Sequence, residues 1–340
     1  MVFKSEKKDI YLPDSATGRL DVGDVKKYFT RFGLGLFFFS LATSVAIEII
    51  ALTVYFTAPD LLDNALFSNI ISFAVIYGIA FPILFIITRR LPDAKPQKRN
   101  MGAKSFILSI CLMFTCTIVG NMISNVLATV VSTLKGGETL QNPVNDTILV
   151  ESFLINVVFT VLLAPILEEL VFRKYLCGKL LPLGEGYAVI ISALVFGLIH
   201  GNIFQCFYCI ANGLLWGYIY VKTGKIRYTI AGHMFMNFFC GALPSLLLSF
   251  IDEGLLESGS ITDIITHAPI FLGLLAIEIV QYAGAIVGFV IFIRNRRRFE
   301  VERGLLPPPE EKRVALVMSN AGMILAVCII GLEILTSLGF

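Results

Sequence analysis

Charge is scarce in this sequence. Asp, Glu, Lys and Arg supply 15% of the 340 residues, 56% are hydrophobic, and the mean hydropathy is +0.81. Soluble globular domains carry about a quarter charged residues, so a soluble domain is excluded and a polytopic membrane protein is indicated. Net charge is scarce as well. A balance of +2, with the basic residues in short runs between apolar segments, leaves no electrostatic footprint for nucleic acid. The amino-terminal stretch 1–31 has mixed charge, no short apolar core and no small-residue cleavage site, so it is expected to be a cytosolic tail rather than a signal. No repeat of matching broken helices, the mark of many transporters, is visible. The seven cysteines are spread through apolar segments, and even Cys206 and Cys209 in "CFYC" read as small buried hydrophobes.

What is abundant is long apolar runs. Crossing a hydrocarbon core takes roughly 20 helical residues, and candidate stretches fall at 33–57, 66–88, 104–133, 147–172, 187–201, 203–221, 227–250, 270–293 and 314–337. In lipid every backbone polar group must be satisfied internally, and runs this long cannot be barrel strands. The expected fold is therefore all-α, a polytopic transmembrane helix bundle of about eight to nine spans. Lys and Arg stay on the cytoplasmic side. The tail, "RRLPDAKPQKR", the turn with Arg173, Lys174 and Lys179, "KTGKIR" and "RNRRRFE" all alternate as inside, against acidic loops at Asp60, Glu138, Asp146 and Asp252. The expected organisation is a tail at 1–31, a bundle at 32–300, a Pro-rich linker at 301–313 and a separate, peripheral last helix at 314–340.

Ionisable groups within such spans are costly and face the bundle interior, which makes each a functional candidate. The sequence has three histidines, and two of them, His200 and His233, fall in spans. They lie in "FGLIHGN" and "HMFMN", downstream of "EELVFR" with Glu168, Glu169 and Arg173. Residues four apart share a helical face, so Glu169 and Arg173 are expected to form a structural ion pair, while Glu168 is turned about 100° away and left without a partner. An unpaired carboxylate at the edge of an apolar interior suits general-base chemistry. The same spacing places His233 and Asn237 together, where imidazole and amide could donate to one developing negative charge. Glu48, Glu278 and Glu333, isolated from any histidine or basic partner in sequence, read as polar contacts between helices.

These residues resemble the membrane-embedded CAAX-processing and bacteriocin-processing endopeptidases, the type II CAAX prenyl endopeptidase or Abi family. Its pattern of Glu-Glu-x-x-x-Arg, Phe-x-x-x-His and His-x-x-x-Asn on successive helices is met at Glu168, Glu169 and Arg173, at Phe196 and His200, and at His233 and Asn237. The resemblance covers roughly residues 105–250. It implies an intramembrane endopeptidase acting on a protein or peptide substrate, prenylated or membrane-bound. Glu168 helped by His200 would activate water, and His233 with Asn237 would stabilise the oxyanion. It also leaves two chemistries open: zinc held by Glu168, His200 and His233, or a metal-free glutamate mechanism. A zincin would show His-Glu-x-x-His on one helix, which this chain lacks. The competing expectation is a non-catalytic bacteriocin-immunity or scaffold protein keeping the same residues as a buried polar network. One difficulty is depth, since His200 falls near the outer end of the fifth segment and Glu168 near the inner end of the fourth. The fifth and sixth segments are therefore expected to be short or tilted.

Overall fold

The computed structural model describes residues 22–143, 152–251, 265–306 and 313–339; the expected tail residues 1–21 and the linker residues 307–312 lie outside them. No β-strand occurs among the described residues. Among the described residues each of the nine apolar runs holds a helix, and the ninth is broken into a short one, Arg313–Met318, and a longer one. Taking the longer piece of the ninth, they are α1 (Val22–Thr57), α2 (Ala65–Thr88), α3 (Ala103–Leu134), α4 (Phe153–Leu183), α5 (Glu185–Leu198), α6 (Ile203–Thr223), α7 (Ile226–Leu248), α8 (Ala268–Arg298) and α9 (Ala321–Ser337). By length and composition six of these can cross a membrane, namely α1, α2, α3, α4, α7 and α8. The fifth is as short as the depth argument required, at 14 residues, whereas the sixth, at 21 residues, is not short. The chain is an integral membrane protein, and its outer faces on α1, α3 and α8 carry exposed Ile, Val, Leu and Phe side chains.

Two expectations about the ends need correction. Helix α1 begins at Val22, eleven residues before the hydropathy boundary at 33, because Val25, Tyr28 and Phe29 are buried against protein rather than lipid. The last helix is not peripheral. A Cβ added to Gly33 would lie 2.3 Å from the backbone of Gly322, and one added to Gly322 would lie 1.9 Å from the Thr30 carbonyl oxygen, so α1 and α9 touch backbone to backbone. Helices pack in lipid chiefly through such close approach of small residues. The first half of the linker is also held. The Leu306 amide donates to the Pro182 carbonyl at 2.8 Å, and the Glu302 amide to Glu185 Oε2 at 2.8 Å. Gly213 and Gly217 press on α5 and Gly284 and Gly288 on α3, whereas Gly201 serves a turn.

Three helices contain a π segment, at Ile76–Ala80, Val157–Leu163 and Phe238–Ala242, and each is followed at the same offset by a proline: Pro82, Pro165 and Pro244. Proline has no N–H and its ring collides with the carbonyl four residues back. The wider turn relieves that collision and lets the helix continue. In α4 the consequence is local and important, because the six α-helical residues Ala164–Glu169 between two π segments carry both glutamates.

Candidate active site

Helices α4, α5, α6 and α7 bring every residue of the three motifs to one place. Glu169 and Arg173 pair at 3.3 Å (Oε2 to Nε) with both side chains fully buried, as the i,i+4 spacing requires. Arg173 is therefore no loop residue. The basic turn invoked for topology is helix, and Lys179 is buried too, its Nζ donating to the Leu91 carbonyl at 2.8 Å. The Arg173 guanidinium lies 4.9 Å above the Phe196 ring, whose π face favours a cation there.

Glu168 does not stand alone as expected. His233 is wedged between the two carboxylates, with Nε2 3.7 Å from Glu168 Oε2 and Nδ1 3.4 Å from Glu169 Oε1. The partner comes from α7 and was invisible to spacing within one helix. Glu169 thus has a second duty beyond the ion pair. A buried carboxylate facing one ring nitrogen fixes the tautomer and orientation of an imidazole, turning the other nitrogen toward the chemistry. Trp216, the sole tryptophan of the chain, stacks on the His233 ring at 4.2 Å and 23° and holds it from behind.

His200 is positioned by a break between α5 and α6. Gly201 takes a left-handed φ of 65°, and Asn202 caps α6 by accepting from the Gln205 amide while donating to the His200 carbonyl. His200 Nδ1 lies 2.7 Å from the Phe196 carbonyl oxygen, which can only accept, so Nδ1 carries the proton. Its Nε2 keeps a lone pair, and the nearest side-chain partner is Cys209 Sγ at 3.7 Å.

Asn237 has an unanticipated structural role. Its Nδ2 donates to the Thr160 carbonyl at 2.8 Å. In the π segment the Ala164 amide reaches back five residues to Phe159, so the next bond in that pattern would run from residue 165 to Thr160. Residue 165 is proline and has no proton to give. The Asn237 amide supplies the missing donor from the neighbouring helix, and its second N–H remains for other work.

Glu168, His200, His233 and Asn237 all line one cavity of about 570 Å³. Its walls are rich in amides, among them Asn121, Gln205 and Asn212. Glu168 and His200 also line a second, more apolar cavity of about 510 Å³ between α1, α2 and α9, so these two residues stand where the cavities meet. Glu333 borders that second space and accepts from Ser44 at 2.7 Å, which makes it the interhelical contact expected. Trp216, Cys209 and Asn212 were missed from the sequence; the available signal was the position of the lone tryptophan on the helix between the two histidine motifs.

A metal would need converging donors. Among the described residues no three His, Cys, Asp or Glu side chains gather closely enough to hold one. As packed, His200 Nε2 lies 3.7 Å from Cys209 Sγ and Glu168 Oε2 lies 3.7 Å from His233 Nε2, and Glu168, His200 and His233 are not gathered as one ligand set.

Comparison with known proteins agrees with the motif reading. Residues 150–239 match a family model described as type II CAAX prenyl endopeptidase Rce1-like. Two curated bacterial proteins are similar. The putative membrane peptidase YdiL of Bacillus subtilis (strain 168) is 24% identical over 159 residues, 46% of this chain and 64% of its own length. The membrane-embedded CAAX protease MroQ of Staphylococcus aureus (strain USA300) is 24% identical over 175 residues, 48% of this chain and 70% of its own. The chain thus spans a little under two thirds of the first of these relatives. No solved structure matches it.

Proposed function

We propose that this integral membrane protein, whose residues 150–239 match the Rce1-like type II CAAX prenyl endopeptidase model, hydrolyses a peptide bond inside the bilayer. The observation that carries the reading is the single amide-walled chamber, in a lipid-embedded bundle, onto which Glu168, His200, His233 and Asn237 all open. Glu168 removes a proton from a water as its oxygen bonds to the scissile carbonyl carbon, and His200 Nε2 orients that water through its lone pair. His233, carrying a proton on each ring nitrogen so that Nδ1 donates to Glu169, donates from Nε2 to the developing oxyanion, joined by the free N–H of Asn237. The proton on Glu168 then passes to the leaving nitrogen as the carbon–nitrogen bond breaks. Mass spectrometry of membrane peptides with and without Glu168→Ala tests the reading. New termini present only with the intact chain are expected, and their absence favours the scaffold or immunity alternative.

We read the chemistry as metal-free, because among the described residues no three His, Cys, Asp or Glu side chains gather as a ligand set. Elemental analysis of the purified protein should find far less than one zinc per chain. One zinc per chain that disappears from a His200→Ala, His233→Ala variant would instead restore the zinc reading.

The orientation proposed is amino terminus in the cytoplasm of a bacterial cell, with "RNRRRFE" on the same side. It rests on the remaining basic loops now that Arg173 and Lys179 are known to be buried. Cysteine labelling at position 297 should succeed from the cytoplasmic face, and reaction only from outside would reverse the topology.

A further inference from the structure

The second cavity, about 510 Å³ between α1, α2 and α9, has acidic groups in its wall and no Lys or Arg. Glu48 of α1 and Glu333 of α9 line it together with Glu168. The His200 ring that also borders it keeps a lone pair on Nε2 and brings no positive charge. Among the described residues Glu48 has no hydrogen bond or ion pair, and Glu333 has only the Ser44 hydroxyl. Carboxylates inside a membrane bundle are costly and are found paired or on a substrate path, so two without a counter-charge call for one. Ser40, Ser44 and Glu48 are spaced by four and share one face of α1. The Ser40 hydroxyl in that stripe is buried and has no partner either. Glu333 is seated at the catalytic turn, since a Cβ added to Gly201 would lie 3.8 Å from Glu333 Cβ.

We infer that this second cavity is the subsite for a basic side chain of the substrate, Lys or Arg, next to the scissile bond, with Glu48 and Glu333 as the residues that read its charge. The inference rests on the peptidase reading and names the substrate class. A Lys or Arg side chain has an apolar stem and a cationic head. The cavity repeats that pattern. Val171 and Phe172 follow Glu168 on α4 and Ile199 precedes His200, so the wall beside the catalytic pair is apolar, while the two further carboxylates stand on α1 and α9. A substrate residue beside the bond under attack enters where the two cavities meet, lays its stem along the apolar wall and pairs its head with the acids. An uncharged residue of the same size leaves those acids unpaired, and sites that strand their own polar groups in this way discriminate strongly.

The test uses the detergent-solubilised chain and quenched fluorogenic ten-residue apolar peptides. One set carries a single Lys at each position in turn, and the other carries norleucine there, which keeps the stem and lacks the charge. At one position, next to the bond cut, Lys should raise kcat/KM about 10–100-fold over norleucine, the worth of a hydrogen bond to a charged group. Glu48→Gln combined with Glu333→Gln should bring that ratio to about one, while Glu333→Asp, which keeps the charge, should retain part of it. The same preference is read as binding, by anisotropy of fluorescein-labelled peptides on Glu168→Gln protein, a measurement that needs no change at Glu48 or Glu333. Equal rates and equal binding for Lys and norleucine at every position overturn the subsite, as does a Lys preference that survives loss of both carboxylates. Lys-selective binding that is lost with the two carboxylates, in peptides that are never cut, retires the peptidase reading and leaves the cationic subsite standing.

Discussion

Glu168→Gln should abolish cleavage and leave the protein folded. The amide keeps the shape and most of the hydrogen bonding of the carboxylate but cannot take a proton, and loss of a positioned general base costs about 10²–10⁴-fold in rate. Stability should hardly change, because the side chain is 21% exposed and its only ion-pair contact among the described residues, with His233, is at 3.7 Å. Turnover of the peptide found by membrane mass spectrometry, measured beside the detergent melting temperature, decides the matter. A Glu168→Gln protein that cleaves within tenfold of the parent would remove Glu168 from the role of base. If Glu169→Gln proved the stable and inactive variant instead, the two glutamates would have to exchange roles.

Arg173→Gln and Glu169→Gln should behave in the opposite way, losing stability first. Each leaves a full charge in a fully buried position, and breaking one side of a buried pair costs about 3–5 kcal/mol. Low expression and early melting are the expected signs. The pair can be tested further by removing both charges at once, with Glu169→Leu and Arg173→Met. That protein should regain much of the lost melting temperature, since no charge is stranded, yet remain inactive because His233 has lost the carboxylate at Nδ1. Melting as late as the parent in the single variants would show that the pair carries no weight. Full activity in the double variant would show that Glu169 does not orient His233.

Hydropathy located the long helices among the described residues, because lipid contact writes itself into long apolar runs. It misplaced the start of α1, since Val25 and Phe29 are buried by protein contacts to which a window average is blind. It counted Arg173 as a topological marker because a charge near a helix end looks solvated until a neighbouring helix covers it. The motif residues stood out as polar atoms in apolar surroundings, and their gathering into one chamber followed from their order along the chain. The finer arrangement depended on contacts between helices that sequence spacing does not encode. Examples are His233 between two carboxylates of α4, and the Asn237 amide standing in for the missing proton of Pro165. Asn212 and Trp216 were overlooked because a neutral amide and an indole in an apolar helix read as packing until the cavity they line is seen.

The brevity of α5 bears on how a hydrolase obtains its co-substrate in oil. Fourteen helical residues reach about 21 Å, short of the roughly 30 Å of hydrocarbon in an ordinary bilayer, and Ile190 and Leu194 on its outer face are exposed. Such a mismatch is relieved by thinning of the surrounding leaflet. Thinning of that kind would fall on the turn at His200 to Asn202, where α5 gives way to α6 and where both cavities meet. Headgroups and their hydration would then be drawn toward His200 Nε2, and the depth of the site would be set as much by the membrane yielding as by the helix ending.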